Sequence, residues 1–256
     1  MLMLRWDGND IDGITTEMEE LQTSFETQFE YTTEIALLPT EGDPTTFLQD
    51  KLQSTRGDLK GSNNLLMIYH PGHGVKNNDS NSIWCAWNND TAKRKREENP
   101  ASNWKSPTLS WDCLQWTLAK DPCDIVMILD CCYAGTAANL LYIDSTSIRE
   151  LLAACGKESL ADSGRLSFTN NLQRAIEEFM KNQPSKPFSI YDIWFKLLTE
   201  HFRYLPATPH HLPLSGRDRP SIMLTPKSAK DGNLENSSPT LNNPGKLRVS
   251  YLLGSI

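Results

Sequence analysis

Runs of apolar residues alternate with amphipathic segments along this chain, and this alternation predicts its fold class. Asp124–Leu129 and Asn64–Tyr69 are short β-branched and aliphatic runs, the pattern of strands buried on both faces of a parallel sheet. Between and around them, apolar residues recur at three- and four-residue steps, which predicts helices. Strands alternating with helices indicate an α/β fold, a three-layer α/β/α sandwich with about six mostly parallel strands.

The first third of the chain predicts strand, helix, strand and helix in that order. Leu2–Trp6 and Tyr31–Leu38 have strand-like composition. The first helix carries an apolar stripe, with Thr16 and Glu19 as a predicted capping box. Asp43 and Pro44 predict the N-terminus of the second helix. The apolar stripes of the two helices consist of Met18, Leu21, Phe25 and Phe29, and of Phe47, Leu48 and Leu52.

The remaining elements follow the same rules. Residues 75–107 are polar and predict a long loop, which in a compact domain is functional or disordered. A helix is predicted from Ser110 to before Pro122, and a strand at Leu151–Cys155. Helices are expected at about 169–182 and 189–202, and Ser221–Leu224 is expected to close the sheet as its last strand.

The C-terminal region predicts a change of organisation. Residues 1–226 form the predicted domain, and 227–245 are rich in Asn, Ser, Pro and Gly, as flexible linkers are. Residues 246–256 become apolar again and predict either the first strand of a further domain or a strand that docks back.

Composition limits the compartment and the partners that we expect. The net charge of -7 over 256 residues argues against nucleic acid or an anionic membrane as partner. No apolar stretch approaches a membrane span, and the N-terminal residues do not resemble a signal peptide. The six cysteines show no metal-type C-x-x-C spacing, which predicts reduced thiols in a cytoplasmic protein. The oligomeric state is left open.

The candidate chemistry lies where two predicted strands end. The run up to Leu129 is followed by Asp130, Cys131 and Cys132, and the earlier run is followed by His70, Pro71, Gly72, His73 and Gly74. Sites in open α/β sheets lie at the carboxyl ends of the strands. A thiol and an imidazole brought together there would make a nucleophile and its base.

These motifs resemble those of the caspase and metacaspase family of cysteine peptidases, fungal metacaspase-like proteins in particular. The family places Tyr/His-x-Gly-His-Gly after one strand and Asp-x-Cys-x-x-Gly after the next, and this chain has Tyr69–Gly74 and Asp130–Gly135 in that order. His73 and Cys132 are 59 residues apart, against roughly 50 in caspases. The resemblance covers about residues 1–226. It implies a caspase-like (caspase-hemoglobinase) fold, a latent zymogen and a part in programmed cell death.

The resemblance also implies the residue roles. Cys132 would attack a peptide carbonyl, and His73 would accept the thiol proton and protonate the leaving amine. The backbone N–H groups of Gly74 and Cys132 are candidates for the oxyanion site. Gly74 would have to be glycine because a side chain would crowd the substrate. Cys131 is expected to point into the core, and His70 to be structural.

Substrate preference depends on Asp130 in this comparison. Caspases have Gln at the matching position and accept acidic residues, whereas metacaspases have Asp and cleave after Arg or Lys, which a carboxylate attracts. Pro71, where metacaspases often have Ser, is a further candidate for substrate binding. Glu17 or Asp12 is the candidate for a second acidic residue in the pocket.

Three further features bear on regulation. Asp79 and Asp90 are scattered rather than clustered, so no calcium site is clearly present and no cofactor is expected. If the protein cleaves itself after basic residues, Lys157, Arg165 and Arg96 are the candidate positions. The basic run of residues 93–96 fits a solvated loop, a nuclear-import signal or a processing site.

Two other functions compete with a peptidase acting on proteins or peptides. One is a catalytically silent caspase-like module for signalling or interaction, against which the presence of both His73 and Cys132 argues. The other is a metal hydrolase built from His70, His73, His210 and His211, but no Asp or Glu stands beside these histidines at ligand spacing.

Overall fold

The structure is a computed structural model that describes residues 1–59, 64–79, 81–98, 105–118, 122–138, 147–157, 159, 166–215 and 220–229. Its strands are Leu2–Trp6 (β1), Glu34–Leu38 (β2), Leu65–Lys76 (β3), Ser82–Cys85 (β4), Thr108–Ser110 (β5), Asp124–Cys131 (β6), Arg149–Ala153 (β7), Phe188–Ser189 (β8), His210–Pro213 (β9) and Met223–Leu224 (β10). Its α-helices are Ile14–Phe29 (α1), Pro44–Asp58 (α2), Asn89–Glu98 (α3), Trp111–Leu118 (α4), Phe168–Asn182 (α5) and Ile190–Thr199 (α6). Short 3-10 helices cover Ala134–Ala138 and Phe202–Tyr204.

Six strands form the central sheet, in the order β2-β1-β3-β6-β7-β9. Every neighbouring pair is parallel except the last, in which β9 runs antiparallel to β7. The apolar runs become the central strands β3 and β6, which are buried on both faces. The predicted α/β fold with about six mostly parallel strands is therefore confirmed.

Helices cover both faces of this sheet, which gives three layers. One apolar core joins the sheet to α1, α5 and α6 through side chains such as Phe25, Leu172 and Ile193. The other joins it to α2 and α4 through Leu48, Leu52 and Trp111. The predicted stripe of α1 is buried, as is that of α2 except for Phe47, which is 37% exposed.

The last strand of the sheet is not the predicted one. Met223–Leu224 pairs with β8 in a separate two-stranded sheet, whereas His210–Pro213 forms the edge of the main sheet. The sequence pattern does not predict β9, because this edge strand of four residues has no apolar run. All four residues of β9 are at least partly exposed.

The His motif and the polar segment after it are more ordered than the sequence predicted. Pro71 and the two glycines of residues 71–74 predict a turn, but these residues continue β3, which then pairs with β4 in an antiparallel hairpin. The predicted loop of residues 75–107 contains β4 and α3, and the basic run of residues 93–96 lies in α3.

Helix starts agree with the prediction at one helix and differ at another. The carboxylate of Asp43 accepts a hydrogen bond from the N–H of Thr45 at 2.9 Å, so the N-cap of α2 is as predicted. The Thr16–Glu19 capping box is wrong, because α1 already begins at Ile14 after Gly13, whose φ is 81°. A glycine that adopts a left-handed conformation lets the chain turn into the helix without a side-chain cap.

The predicted domain boundary at residue 226 and the organisation of the chain after it stay predictions. Of the predicted linker 227–245, the structure describes residues 227–229, which are helical, and the Lys227 ammonium lies 3.0 Å from the Glu30 carboxylate. Residues 230–245 and the apolar segment 246–256 lie outside the described residues. In the described part of the chain, no helix is long and apolar enough to cross a bilayer.

Candidate active site

A cleft of about 290 Å³ opens at the carboxyl ends of β3 and β6. The segment after β1 and the first turn of α1 close its other side. Its walls are formed by Ile11, Asp12, Ile14, Glu17, Pro71, Gly72, His73, Asp130, Cys132 and Ser167. The predicted site residues His73, Cys132, Asp130, Pro71 and Glu17 therefore share one cleft, together with Asp12.

The two adjacent cysteines lie in different environments. Cys131 is the last residue of β6, pairs with Gly72 of β3 and is buried. Burial raises the pKa of its thiol well above the usual value, so this sulfur stays protonated. Cys132 is half-buried and lines the cleft, and the chain turns away at Tyr133, whose φ is 57°. Of the two thiols, the one in the cleft is Cys132.

His73 is held by a carboxylate that the sequence analysis did not identify. Its Nε2 lies 2.6 Å from Oδ1 of Asp10, a residue of the segment that follows β1. The backbone N–H of Asn88 donates to the other carboxylate oxygen at 3.2 Å. A sequence signal existed: an acidic residue shortly after a parallel strand lies at the same sheet edge as His73 and Cys132.

His70 is part of the core. Its ring stacks on Trp84 with centroids 3.9 Å apart, and its Nδ1 lies 3.0 Å from the carbonyl oxygen of Leu4. Burial lowers its pKa to about 3 despite the bond to Leu4, so the ring is neutral and donates to that carbonyl. The expectation that His70 is structural agrees with this placement.

Two carboxyl groups meet at the N-terminus of α5. Oδ2 of Asp130 accepts hydrogen bonds from the backbone N–H of Thr169 at 3.0 Å and from its hydroxyl at 2.6 Å. Glu17 accepts from the hydroxyl of Ser167 at 2.8 Å and from the side-chain amide of Asn170 at 3.0 Å. Donors at a helix N-terminus stabilise such anions.

Burial shifts both carboxyl groups in the same direction. It raises the pKa of Asp130 to about 6, although the hydrogen bonds from Thr169 act against it. It also raises the pKa of Glu17 to about 7, and the nearby charge of Asp130 adds a smaller contribution. The charge of this part of the cleft therefore changes near neutral pH.

Gly74 is required for a reason other than the predicted one. A Cβ atom at this position would overlap the backbone carbonyl oxygen of Cys132, and it would also lie 3.2 Å from the sulfur of Cys131. The absence of a side chain therefore lets the chain after β6 pass close to β3. The expectation that a side chain at Gly74 would crowd the substrate is therefore corrected: the space is occupied by the backbone of Cys132.

The four histidines considered as metal ligands have separate environments. His70 and His73 contact Leu4 and Asp10, whereas His211 lies 3.1 Å from Glu150. His210 lies beside Gly156. Among the described residues, no three His, Cys, Asp or Glu side chains are grouped closely enough to hold a metal ion.

The candidate self-cleavage positions differ in their surroundings. Lys157 is exposed and follows the end of β7 by a few residues, next to Gly135. Arg96 is also exposed but lies in the last turn of α3, which would have to unwind to enter an active site as an extended peptide. Arg165 lies outside the described residues.

Comparisons with known proteins relate the chain to others by its fold. No protein-family model and no curated protein sequence matches the chain. Among solved structures, it is similar to caspase-1 from Spodoptera frugiperda, with 8% identity, a TM-score of 0.51, and 84% of this chain and 88% of that chain covered. Raptor from Chaetomium thermophilum aligns with 13% identity and a TM-score of 0.41, over 79% of this chain and 19% of that chain. The chain thus has a fold similar to that of a caspase.

Proposed function

We propose that this protein is a cysteine endopeptidase that cleaves protein substrates after Arg or Lys. The observation that carries this proposal is the placement of a half-buried thiol, an imidazole and two carboxyl groups in one cleft. The fold similarity to a protein named a caspase supports the same reaction class.

The reaction follows from what these groups can do. His73 accepts the proton of the Cys132 thiol, and the thiolate attacks the peptide carbonyl carbon to form a C–S bond. The protonated imidazole gives its proton to the leaving nitrogen as the C–N bond breaks. Water then hydrolyses the thioester and restores the thiol.

The negative charge that develops on the carbonyl oxygen needs donors that are already in place. We assign this role to the backbone N–H groups of Gly74 and Cys132. Cys132 lines the cleft, and Gly74 follows the lining residue His73 and lies against the Cys132 backbone. Fixed N–H donors in a partly desolvated site stabilise such an oxyanion more than water does. The close approach of Gly74 to the Cys132 carbonyl keeps the two segments at a fixed separation.

The preference for basic residues rests on Asp130 and Glu17. Both carboxyl groups lie on the cleft, and its described lining contains no Lys or Arg that would neutralise them. A guanidinium or ammonium group entering there would gain charge-assisted hydrogen bonds, whereas an acidic side chain would be repelled. Buried Pro71 contributes apolar wall for the aliphatic part of the substrate side chain.

Self-cleavage and calcium activation are two further parts of the proposed function, and both concern how the peptidase would be activated. Lys157 is the stronger self-cleavage candidate, because it is exposed and outside any helix, whereas Arg96 is helical. Calcium would have to act through residues other than a grouped set of carboxylates in the described part of the chain.

The test is cleavage of a panel of fluorogenic peptides with Arg, Lys, Asp or Ala before the leaving group, under reducing conditions. Each peptide is assayed with calcium and with a chelator. We expect cleavage of the Arg and Lys peptides, lost in Cys132→Ala and in His73→Ala. Cys131→Ala is the matched control and should retain activity.

Three outcomes would contradict parts of the proposal. Cleavage after Asp would refute the role of the acidic pair but keep the chemistry. Activity that is lost in Cys131→Ala and kept in Cys132→Ala would identify Cys131, and not Cys132, as the nucleophile. No cleavage by the intact chain, even after pretreatment with trypsin that is fully inhibited before the assay, would refute the peptidase assignment.

A further inference from the structure

We propose that Asp10 is a positioning residue that orients His73 and completes a Cys132–His73–Asp10 triad. This inference rests on the proposed function, since it assigns Asp10 a part in activating the same thiol. It adds a third group to the two that the sequence motifs supplied.

The contact between the two side chains is short and shielded. Oδ1 of Asp10 lies 2.6 Å from Nε2 of His73, a distance typical of a charge-assisted hydrogen bond. The Asp10 side chain is 13% exposed and the His73 side chain 24% exposed. Limited access to water strengthens an electrostatic contact of this kind.

Asp10 itself is held by the segment that leads into α3. The N–H of Asn88 donates to its Oδ2, and the Asn88 side chain in turn accepts from the N–H of Thr91 at 2.8 Å. Trp87 fixes the chain just before Asp10, because its indole N–H donates to the carbonyl oxygen of Gly8 at 3.0 Å. The carboxylate is therefore placed by two chain segments that pack together.

The charge of Asp10 determines which proton His73 carries. Burial raises the pKa of Asp10, but hydrogen bonds from Thr91, Asn88 and His73 outweigh it and hold the pKa below the usual value. Asp10 is thus ionised at neutral pH and can only accept, so Nε2 of His73 is the donor. Nδ1 is then the nitrogen with a lone pair.

This arrangement supports the proton transfer that a cysteine nucleophile needs. When the Cys132 thiol gives its proton to Nδ1, the imidazole becomes a cation and the sulfur an anion. The Asp10 carboxylate stabilises that cation and keeps the ring from rotating, while it remains ionised throughout. When the leaving nitrogen takes the proton from Nδ1, the ring returns to its neutral form.

An inhibitory role of Asp10 would change activity in the opposite direction. A short bond to Asp10 could also draw His73 away from the thiol and keep the enzyme latent. Removal of the carboxylate would then raise activity, whereas a positioning role requires that activity falls.

The experiment compares Asp10→Asn and Asp10→Glu with wild type by two measurements. The first is the rate of alkylation of Cys132 by iodoacetamide at neutral pH, followed by mass spectrometry of the peptide that contains it. The second is kcat and KM on an Arg peptide. Asp7→Asn is the matched control, since Asp7 is an exposed acid of the same segment.

We expect Asp10→Asn to slow Cys132 alkylation and to lower kcat by about 100-fold, the lower range for positioned acid–base groups, with little change in KM. Asp10→Glu should recover part of both rates, and Asp7→Asn should match wild type. Thermal unfolding establishes that each variant is folded. If Asp10→Asn does not fold, Thr91→Val, which loosens Asp10 from one side, should show a smaller loss of the same kind.

The two proposals fail in different ways. Unchanged or faster alkylation in a folded Asp10→Asn variant would overturn the role of Asp10, even if the wild type cleaves peptides. Slower alkylation in a protein that cleaves no peptide would support the role of Asp10 and refute the peptidase assignment.

Discussion

Glu17, on the first turn of α1, and Asp130, at the end of β6, line the same cleft. The N-terminal residues of α5 hold both carboxyl groups, since Ser167 and Asn170 donate to Glu17 and Thr169 donates to Asp130. Burial, with a smaller contribution from Asp130, raises the pKa of Glu17 to about 7. Under the proposed preference for basic substrates, the pair would make recognition of the substrate depend on pH.

Replacing Glu17 with Gln should weaken recognition of basic substrates. Removing one charge-assisted hydrogen bond costs about 1.5–3 kcal/mol, which corresponds to roughly 10- to 100-fold in kcat/KM on an Arg peptide. The loss should appear mainly as a higher KM, because the proposed contact of Glu17 is with the substrate side chain and not with the reacting atoms. Steady-state kinetics at pH 8 measure it.

Glu19→Gln is the matched control for this change, since Glu19 is an exposed acid on the same helix. Equal kinetics in Glu17→Gln and Glu19→Gln would show that the substrate does not contact Glu17. A loss that is the same on Arg and on Ala peptides would indicate a general disturbance of the cleft.

The preference for basic substrates should decline as the pH falls. A carboxyl group with a pKa of about 7 carries its charge above that pH and loses it below. Its ionised fraction falls from about 0.9 at pH 8 to about 0.1 at pH 6. The ratio of kcat/KM between wild type and Glu17→Gln on an Arg peptide should therefore fall about five- to tenfold over this range. Because both proteins share Cys132 and His73, the titration of these two groups cancels in the ratio, and a constant ratio would contradict the prediction.

Thr169→Val should destabilise the protein. The Thr169 hydroxyl donates to Asp130 at 2.6 Å and accepts from the hydroxyl of Tyr69 at 2.7 Å, and all three groups are buried. Without it, two buried polar groups each lose a partner, at a cost of about 1–3 kcal/mol in the free energy of unfolding. Urea denaturation measures the change. Thr169→Ser keeps the hydroxyl and should lose much less, so equal losses would assign the effect to packing.

Gly74→Ala should damage both stability and the site. The added Cβ would overlap the backbone carbonyl of Cys132, so β3 and the chain after β6 must separate. Overpacking of this kind costs about 1–3 kcal/mol or more. Gly57→Ala is the control, because a Cβ there meets no atom within 4 Å in the exposed part of α2, and it should gain about 0.5–1 kcal/mol. Similar stability of the two variants by urea denaturation would contradict the proposed clash.

The sequence predicted most of the scaffold because its signals were local. The strands β1, β3, β6 and β7 followed from apolar runs, and α1, α2, α5 and α6 from helical periodicity. The segments that were missed lack such signals: β9 is an exposed edge strand, and β4 is too short to stand out within a polar stretch. Strand pairing, which no local pattern encodes, also decided that β10 leaves the main sheet.

The candidate site likewise combines features that local sequence signals predict with features that only tertiary contacts create. The sequence by itself determined that a His motif and a Cys motif follow neighbouring strands, because parallel strands place their carboxyl ends together. The resemblance to the caspase family already selected Cys132 over Cys131, and the structure places Cys132 in the cleft. Only the tertiary structure brought Glu17 beside Asp130 and placed Asp10 on His73. Such contacts depend on the face of a strand that a side chain occupies and on how segments distant in sequence pack together. Burial and hydrogen bonds that form only in the folded chain determine both of these.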